Sequence, residues 1–381
     1  VAVTDLSAYF DDEITAMPNL VTVGAGGTAS TVAGIPFYSA DTSSIYTTDV
    51  SGTDDTASGN SAYGYQALDA ITTGDNNVAI GLSALGANTT GAGNIAVGMS
   101  SLDANTTGGT NTGIGHFALS ANTTASFNTA VGNASMVTNT VGHSNTAVGS
   151  SSLNALTTGD YNVAIGFNAG QLMTEGDRSV AIGPFALDAA TTGQYNVGVG
   201  SSALGLVTTS GNNVAVGTSA LAANTAAENT AIGHSAAQSN TSGVRIIAIG
   251  AGAYDSSDTE NDNIAIGFDA MTANTAGGTQ NIAIGNYAGD ALTSADNNVL
   301  IGHNAGTAIN TGGNNTALGH TALTAHTTGV GSVAVGFEAL YTTTTADYNT
   351  GIGFRALKVN TSGAQNVAVG TSALLDNTTG D

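Results

Sequence analysis

A short sequence unit recurs along most of this chain with a nearly constant period of 17. Each copy closes a segment of the type Asn-Val-Ala-Ile-Gly with a glycine, and 19 such glycines run from Gly64 to Gly370. Only two of the 18 intervals deviate, the one before Gly233 being shorter by one and the one before Gly285 longer by one. A period this strict predicts one structural turn per copy, because each copy can then make the same contacts with its neighbours.

The residues that lead up to each glycine predict a short β-strand. Val78, Ala79 and Ile80 are typical: nearly every copy has a β-branched first position and an aliphatic third position, and the middle position is Ala or Gly in all but Leu300. Such alternation is a strand pattern, with Val78 and Ile80 on one face and Ala79 on the other. An asparagine precedes the strand in 16 of the 19 copies. We expect these asparagines to form a side-chain amide ladder along the stack.

A second apolar position follows the glycine by four places and is usually Leu, as at Leu68 and Leu85. The pattern leaves open whether this leucine lies on a second short strand or on a single helical turn. A polar turn comes next, typified by 88–91, Asn-Thr-Thr-Gly. Asn and Gly are expected to supply the positive φ angles that tight turns require.

Units this short cannot fold alone, but they can stack as the coils of a solenoid. The leucine-rich repeat is the main alternative, and it needs several leucines in about 20 to 29 residues. We therefore predict an all-β fold in which residues 58–381 form a parallel β-solenoid, or β-roll. At about 4.8 Å per coil, 19 coils would make a rod about 90 Å long.

The composition excludes several classes of function. Among 381 residues there are 27 acids and only four bases, Arg178, Arg245, Arg355 and Lys358, which gives a formal charge of −23. Nucleic-acid binding requires a basic surface, and anionic membranes repel such a chain. The absence of Cys excludes disulfides and thiolate metal sites. No apolar run approaches the roughly 18 residues of a membrane span, so no membrane insertion is expected.

Both faces of the predicted strand are apolar, and this indicates self-association. A narrow roll can enclose only one face, so the other would form a long apolar stripe unless another molecule covers it. We expect the Ala/Gly face to be the one that lies outside, against further copies of the chain around a shared axis. On this basis Ala164→Glu should prevent assembly far more than replacement of Thr158.

Three segments, 77–81, 162–166 and 263–267, resemble the repeats of trimeric autotransporter adhesin heads. The segment 349–363 is similar to repeats of phage tail fibres and related surface proteins that carry a C-terminal endosialidase-type chaperone. The resemblance covers about residues 58 to 381 and implies a left-handed roll and a trimer. Because the last copy is as regular as the others, its edge is expected to be covered by a partner or by a segment that has been removed.

This resemblance implies a structural role and no enzymatic one. The first hypothesis is the shaft of a phage tail fibre that attaches to a host surface. The alternative is a bacterial or archaeal extracellular adhesin or filament subunit. The expected location is accordingly the virion tail or the cell surface. A tailspike depolymerase is the least favoured interpretation, because a uniform shaft offers no cleft.

Residues 1–57 lack the repeat. Asp5–Met17 has a helical apolar spacing, Leu20–Val23 and Ser30–Ile35 resemble strands, and 41–57 resembles a linker. The segment is expected to be an N-terminal cap, or else an attachment segment that docks on a virion baseplate or on the next subunit. In the second case, head-to-tail docking would produce an open filament.

Four histidines directly follow a repeat glycine: His116, His234, His303 and His320. The rings of His303 and His320 are therefore expected to stack on successive coils. Because phenylalanine fills the same position in other copies, as at Phe167, we expect no metal site there.

Other polar features are predicted to be structural. Acids beside the strand asparagine are expected to be solvated turn residues and not Ca²⁺ ligands: Asp75, Asp160, Asp262, Asp296 and Asp347. Pairs of threonines in the turns could indicate ice binding, but adjacent side chains on an extended chain point in opposite directions. Gly113-Ile114-Gly115 resembles a phosphate loop only superficially, since no lysine follows it. We therefore assign no catalytic, cofactor-binding or metal-binding residue.

Overall fold

A computed structural model describes residues 30–32, 35–37, 45–46, 56–274 and 277–380 of the chain. Every regular element in these residues is a β-strand. The chain divides into two compact units, Val1–Ala164 and Ile165–Asp381. In each unit the strands form a parallel β-solenoid with turns spaced 17 residues apart, which accounts for twenty of the strands and confirms the predicted fold class. The left-handed sense and the trimer stay predictions.

The first unit begins with three strands outside the 19 aligned copies and continues with one strand per copy. They are β1 (Ser30–Val32), β2 (Ile35–Phe37), β3 (Ile45–Tyr46), β4 (Ser61–Tyr63), β5 (Val78–Ile80), β6 (Ile95–Val97), β7 (Thr112–Ile114), β8 (Thr129–Val131) and β9 (Thr146–Val148). From β3 to β9, each strand pairs in parallel with the next. The strand β10 (Val163–Ile165) contains the division between the units.

The second unit continues with one strand per copy. They are β11 (Val180–Ile182), β12 (Val197–Val199), β13 (Val214–Val216), β14 (Thr230–Ile232), β15 (Ile247–Ile249), β16 (Ile264–Ile266), β17 (Ile282–Ile284), β18 (Val299–Ile301), β19 (Thr316–Leu318), β20 (Val333–Val335), β21 (Thr350–Ile352) and β22 (Val367–Val369). From β11 to β22, each strand again pairs in parallel with the next.

The two irregular repeat lengths do not disturb the strand register. Val214 still pairs with Thr230 across the short interval, and Ile264 pairs with Ile282 across the long one. The missing and the extra residue are therefore absorbed in the turns. This follows because a slip of one residue within a strand would exchange its inner and outer faces.

The face of each strand that points into the coil is the opposite of the predicted one. Ala79 is fully buried, whereas Ile80 on the other face is 44% exposed. The interior is tightly filled beside this face, since a Cβ added at Gly113 would lie 2.5 Å from Ser101 Oγ, 3.2 Å from the Ala118 carbonyl oxygen and 3.3 Å from Leu102 Cγ. The Ala/Gly column is thus the core of the coil, and the Val/Ile column is outside.

Leu300 is the one large residue in this inner column, and its neighbours show how the coil accommodates it. The coils that flank it have glycine where most copies have the buried leucine, at Gly289 and Gly306. A Cβ on either glycine would lie only 2.8 Å from a methyl carbon of Leu300. Leu300 therefore occupies part of the space that the missing leucines leave, and Leu292 and Ile309, whose Cδ1 atoms are equally close to these glycines, occupy another part.

The segment with the recurrent leucine is neither a strand nor a helical turn but a run of turns with alternating backbone conformation. Ser83 and Leu85 have φ angles of 55° and 51°. Consequently the Ser83 N–H donates to the Tyr65 carbonyl of the preceding coil (2.9 Å), whereas the Leu85 N–H donates to the Ser101 carbonyl of the following coil (3.0 Å). The alternation lets a chain of turns bond to both neighbours, while the Leu85 side chain is fully buried.

The repeat glycine is required by contact between coils. Gly81 has a φ of +132°, and a Cβ there would lie 2.6 Å from the Gly98 carbonyl oxygen. The turn glycine Gly91 is different, because it is absent from the positive-φ residues. The predicted positive φ at the turn Asn and Gly is therefore wrong. Gly91 is needed because a Cβ there would overlap the Gly108 carbonyl oxygen.

The predicted asparagine ladder is confirmed. Asn111 Oδ1 accepts the Asn128 N–H at 2.9 Å, and its Nδ2 donates to the Ala125 carbonyl at 2.8 Å. A second ladder, which the sequence did not lead us to expect, runs through the seventh position after the glycine. In it, Asn105 Nδ2 donates to Asn88 Oδ1 at 2.8 Å. The asparagines named here are fully buried, so these amides satisfy backbone groups that water cannot reach.

The predicted strand Ser30–Ile35 is instead two strands, β1 and β2, which pair antiparallel with Val32 opposite Ile35. Residues 33–34 between these strands lie outside the described residues. The strand β3 lies within the predicted linker 41–57 and already pairs with β4. The predicted helix Asp5–Met17 and strand Leu20–Val23 lie outside the described residues.

Candidate functional site

An uncharged stripe covers the outside of the sheet in each unit. The first and third residues of each strand from β4 to β9, and from β11 to β22, form this stripe, which we call the Val/Ile stripe. None of these residues is charged. Representative third residues are partly open to solvent, Ile80 at 44% and Ile232 at 40%. In several coils an exposed ring follows the glycine next to the stripe, as at Tyr65 and Phe167. Several first residues are Ser or Thr, but the third residue is apolar in every one of these strands. A continuous row of apolar side chains of this kind is typical of an interaction surface.

The predicted stacking of His303 on His320 is confirmed. Their ring centroids are 5.2 Å apart with an interplanar angle of 7°, and the stack continues through Phe337 to Phe354 at 5.5 and 5.3 Å. The faces of these rings are occupied by one another. This column therefore cannot offer its inner ring faces to a sugar or a base.

The remaining histidines of this set do not converge on a metal ion. The His116 ring lies 3.8 Å from Phe117 between centroids, and its Nδ1 is 3.2 Å from Asn133 Nδ2. In the described part of the chain, no group of three His, Asp or Glu side chains is arranged to hold a metal.

The predicted turn acids are at least partly open to solvent, and they also join successive coils. Asp75 Oδ1 accepts the Ser58 N–H at 2.7 Å, and Asp296 Oδ1 accepts the Thr279 N–H at 2.7 Å. Asp160 and Asp347 accept backbone N–H groups of the preceding coil in the same way. The carboxylates thus bond to backbone groups that have no strand partner at this corner of the coil.

All four basic side chains are engaged within the chain. Arg245 pairs with Asp262, the fifth predicted turn acid, through contacts of 2.5 and 2.8 Å, which lower the pKa of the Asp262 carboxyl. Lys358 and Arg355 both contact Glu338, at 2.6 and 2.8 Å. The fourth basic side chain, Arg178, lies over the ring of Tyr195, with its guanidinium 5.7 Å from the ring centroid. No Lys or Arg side chain of this chain is therefore left to pair with the remaining carboxylates.

The first threonine of most pairs in the turns bonds between coils. Thr89 Oγ1 donates to the Thr106 carbonyl at 3.1 Å, and Thr106 Oγ1 donates to the Thr123 carbonyl at 3.1 Å. These hydroxyls are committed to the backbone, which supports the prediction that the pairs do not form an ice-binding array. Gly113 lies within β7, and Gly115 is the repeat glycine that follows this strand. Both glycines pack closely against neighbouring parts of the coil stack.

His326 is a buried histidine that the sequence patterns did not single out. It occupies the position of the second asparagine ladder, between Ile309 and Thr343, and is fully buried. Neither ring nitrogen makes a hydrogen bond of normal geometry. Burial lowers the pKa of His326 below its ordinary 6.5, an effect that the nearby backbone of Gly329 and the Asp347 carboxylate only partly oppose.

The buried His326 predicts acid-sensitive stability in its part of the second unit. The folded state keeps the imidazole neutral, while the unfolded chain binds a proton below about pH 6.5. Stability is therefore present above that pH and is lost as the pH falls through it. We expect amide hydrogen exchange of coils 309–360 to accelerate between pH 7.5 and pH 5 in the native chain, after correction for the intrinsic exchange rate. In His326→Asn the acceleration should be much smaller, whereas His234→Asn at an exposed position should leave it unchanged.

A scan against models of known protein families gives no match, and no curated protein is significantly similar in sequence. Within the part of the chain that the structure describes, no helix has the length and apolar character needed to cross a membrane.

Proposed function

We propose that this chain is a non-catalytic structural protein, the shaft of a fibre that holds a contact end away from its base. The observation that carries the proposal is the continuity of the contact columns within each unit. The inner alanines, the repeat glycines and the asparagine ladders recur from coil to coil with the same kind of partner. Such repetition suits a spacer whose length is set by its number of coils.

The setting that we favour is the tail fibre of a phage, and the alternative is a bacterial or archaeal surface adhesin or filament. The resemblance of the repeats to tail-fibre sequences supports the first setting. The acidic, cation-poor composition is consistent with both, since it keeps an elongated particle from associating unspecifically with other acidic surfaces. Attachment to a base, or to the next subunit, is assigned to residues 1–57.

We further propose that the fibre is an oligomer of this chain, most simply a trimer, joined through the Val/Ile stripe. The stripe carries no charge in either unit, although the chain as a whole is strongly acidic. The apolar side chains of such an uncharged surface, mostly Val and Ile, gain free energy when water is removed from them. Copies packed against the stripe would remove it from solvent while the acids stay outside.

Electron cryo-microscopy of native particles tests the fibre role. Rods of one fixed length projecting from virions, with several chains in cross-section, are expected for the tail-fibre proposal. Filaments of indefinite length would overturn it in favour of the filament alternative. Isolated single-chain rods would contradict the oligomer.

The substitution Ile232→Asp tests the Val/Ile stripe directly. Ile232 is on the outer face of β14, so an aspartate there should leave the coil folded but place an unpaired charge in the interface. We expect the oligomer to dissociate, as measured by light scattering on a sizing column. The control Thr209→Asp introduces the same charge at an exposed turn and should keep the native mass. Equal masses for both variants would show that the stripe is not the interface.

A further inference from the structure

The second unit contains a cavity on the side of the turns, with a volume of about 590 Å³. We call it the leucine notch and define it by Leu172, Asp188, Ala189, Gly205 and Leu206. All five residues occupy the fifth or sixth position after a repeat glycine in three successive coils. The notch is therefore a local variation within an otherwise regular column.

Two leucines form the walls of the notch. The sixth position after the glycine is Ala in 11 of the 19 copies and is Leu only at positions 172 and 206. Leu172 and Leu206 are 50% and 57% exposed, and they are two coils apart, which corresponds to about 9.6 Å along the stack. Ala189 of the intervening coil is too small to fill the space between them.

A carboxylate lies at the edge of this apolar gap. Asp188 Oδ1 is 3.7 Å from the position that a Cβ would take on Gly205, so the absence of a side chain there leaves room beside the carboxylate. None of the ion pairs found in the described residues involves Asp188. Partial burial raises the pKa of the Asp188 carboxyl, opposed by backbone N–H groups of Asp188 and Ala189.

We propose that the leucine notch binds a small primary alkylamine, with its ammonium group at Asp188 and its alkyl stem between Leu172 and Leu206. A carboxylate without a cationic partner, beside apolar walls, matches a cation that carries a short apolar stem. The amide of Gln171 and the hydroxyl of Ser202 also line the cavity and add acceptor oxygens for the ammonium N–H groups. The net charge of −23 raises the local concentration of any cation near the surface. This binding site does not depend on the proposed fibre role.

The first unit contains a matched position that lacks the leucine walls. Asp69 Oδ1 lies 3.7 Å from the Cβ position of Gly86, which reproduces the arrangement of Asp188 and Gly205. At the sixth position, however, these coils have Ala70 and Ala87. If the leucines provide the site for the stem, this position should not select alkylamines.

The test is a titration of the full chain, labelled with ¹³C in its leucine methyl groups, with n-butylammonium chloride at constant ionic strength. We expect saturable shifts of the Leu172 and Leu206 methyl signals at millimolar concentration. The neutral n-butanol should bind at least about tenfold more weakly, because its hydroxyl carries no positive charge and cannot form an ion pair with the Asp188 carboxylate. Equal binding of the two probes, or no saturation, would overturn the proposal.

Variants then assign the two parts of the site. Asp188→Asn should remove the preference for the amine over the alcohol, whereas Asp69→Asn should leave it unchanged. Gly205→Val should abolish binding of both probes by filling the notch, and its unchanged methyl spectrum elsewhere would show that the coil remains folded. If Asp69→Asn weakens binding as much as Asp188→Asn, the effect is one of overall charge and the leucine notch is not a site.

Discussion

Replacing Gly81 with alanine is expected to unfold the coils around it, because two separate penalties coincide at this residue. Its φ of +132° is a conformation that residues with a Cβ rarely adopt, and the new Cβ would lie 2.6 Å from the Gly98 carbonyl oxygen. Backbone strain and overpacking together should cost about 3 kcal/mol or more in the free energy of unfolding. Amide hydrogen exchange across coils 64–115 measures the loss.

Gly86 in the same coil provides the control. No positive φ is found there, and the nearest atoms to an added Cβ are carbonyl oxygens at 3.4 Å. Gly86→Ala should therefore change the free energy of unfolding by less than about 1 kcal/mol, in either direction. Similar destabilisation by both substitutions would mean that the contact between the glycine columns is not what fixes the spacing of the coils.

Asn111→Ala is expected to cause the second large effect, since the ladder amide serves two buried backbone groups. Without it, the Asn128 N–H loses its acceptor, whereas the Ala125 carbonyl oxygen keeps only the bond from Asn122 Nδ2 at 3.1 Å. At about 1 to 3 kcal/mol for the orphaned N–H and about 1 kcal/mol for the lost bond to Ala125, the loss in the free energy of unfolding is about 2 to 4 kcal/mol. Chemical denaturation followed by circular dichroism should show it.

A nearby asparagine distinguishes the ladder from a general effect of the residue type. Asn133 is exposed, and its side-chain amide contacts another side chain, that of His116. Asn133→Ala should therefore be nearly neutral. Asn111→Asp is a stricter variant, because it keeps an acceptor for Asn128 but removes the donor to Ala125 and buries a charge. If Asn111→Asp were as stable as the native chain, the amide donor would have no role in the ladder.

The period of the sequence was sufficient to predict the fold, because a solenoid places residues one period apart on top of one another. Strand positions such as Val78 to Ile80, the parallel pairing and the asparagine ladder all follow from contacts between equivalent residues of successive copies. The stacking of His303 and His320 follows for the same reason. For these predictions it was enough to know which residues of one coil contact the equivalent residues of the next coil.

The orientation of the strand could not be predicted from alternation alone, since both faces are apolar. It depends on the width of the coil, which is set by backbone conformations that the sequence does not display. One signal was present in the sequence, however. The only leucine in the Ala column, Leu300, is flanked by coils in which Gly289 and Gly306 replace the leucine. Such an exchange of volume indicates that the two positions share one interior.

The left-handed turns that contain the recurrent leucine were not predicted, for a different reason. Leucine at a φ near 50° is uncommon in proteins, so a pattern of Ser-Ala-Leu does not ordinarily suggest left-handed conformation. Here the burial of the Leu85 side chain and bonds to both neighbouring coils favour it. His326 escaped attention because its position differs in composition from copy to copy, and only the structure shows that it is interior.

The exchange between Leu300 and its flanking glycines also bears on how the chain finds its order while folding. Coils that are nearly identical could pair with the wrong copy, looping out one repeat and still forming most of the same hydrogen bonds. Leu300 makes one such error costly, because it fits only between the coils that contain Gly289 and Gly306, and a coil with the usual leucine would clash with it. A single misfit residue in the core thus marks the place of its coil in the sequence, so that neighbouring repeats are no longer interchangeable.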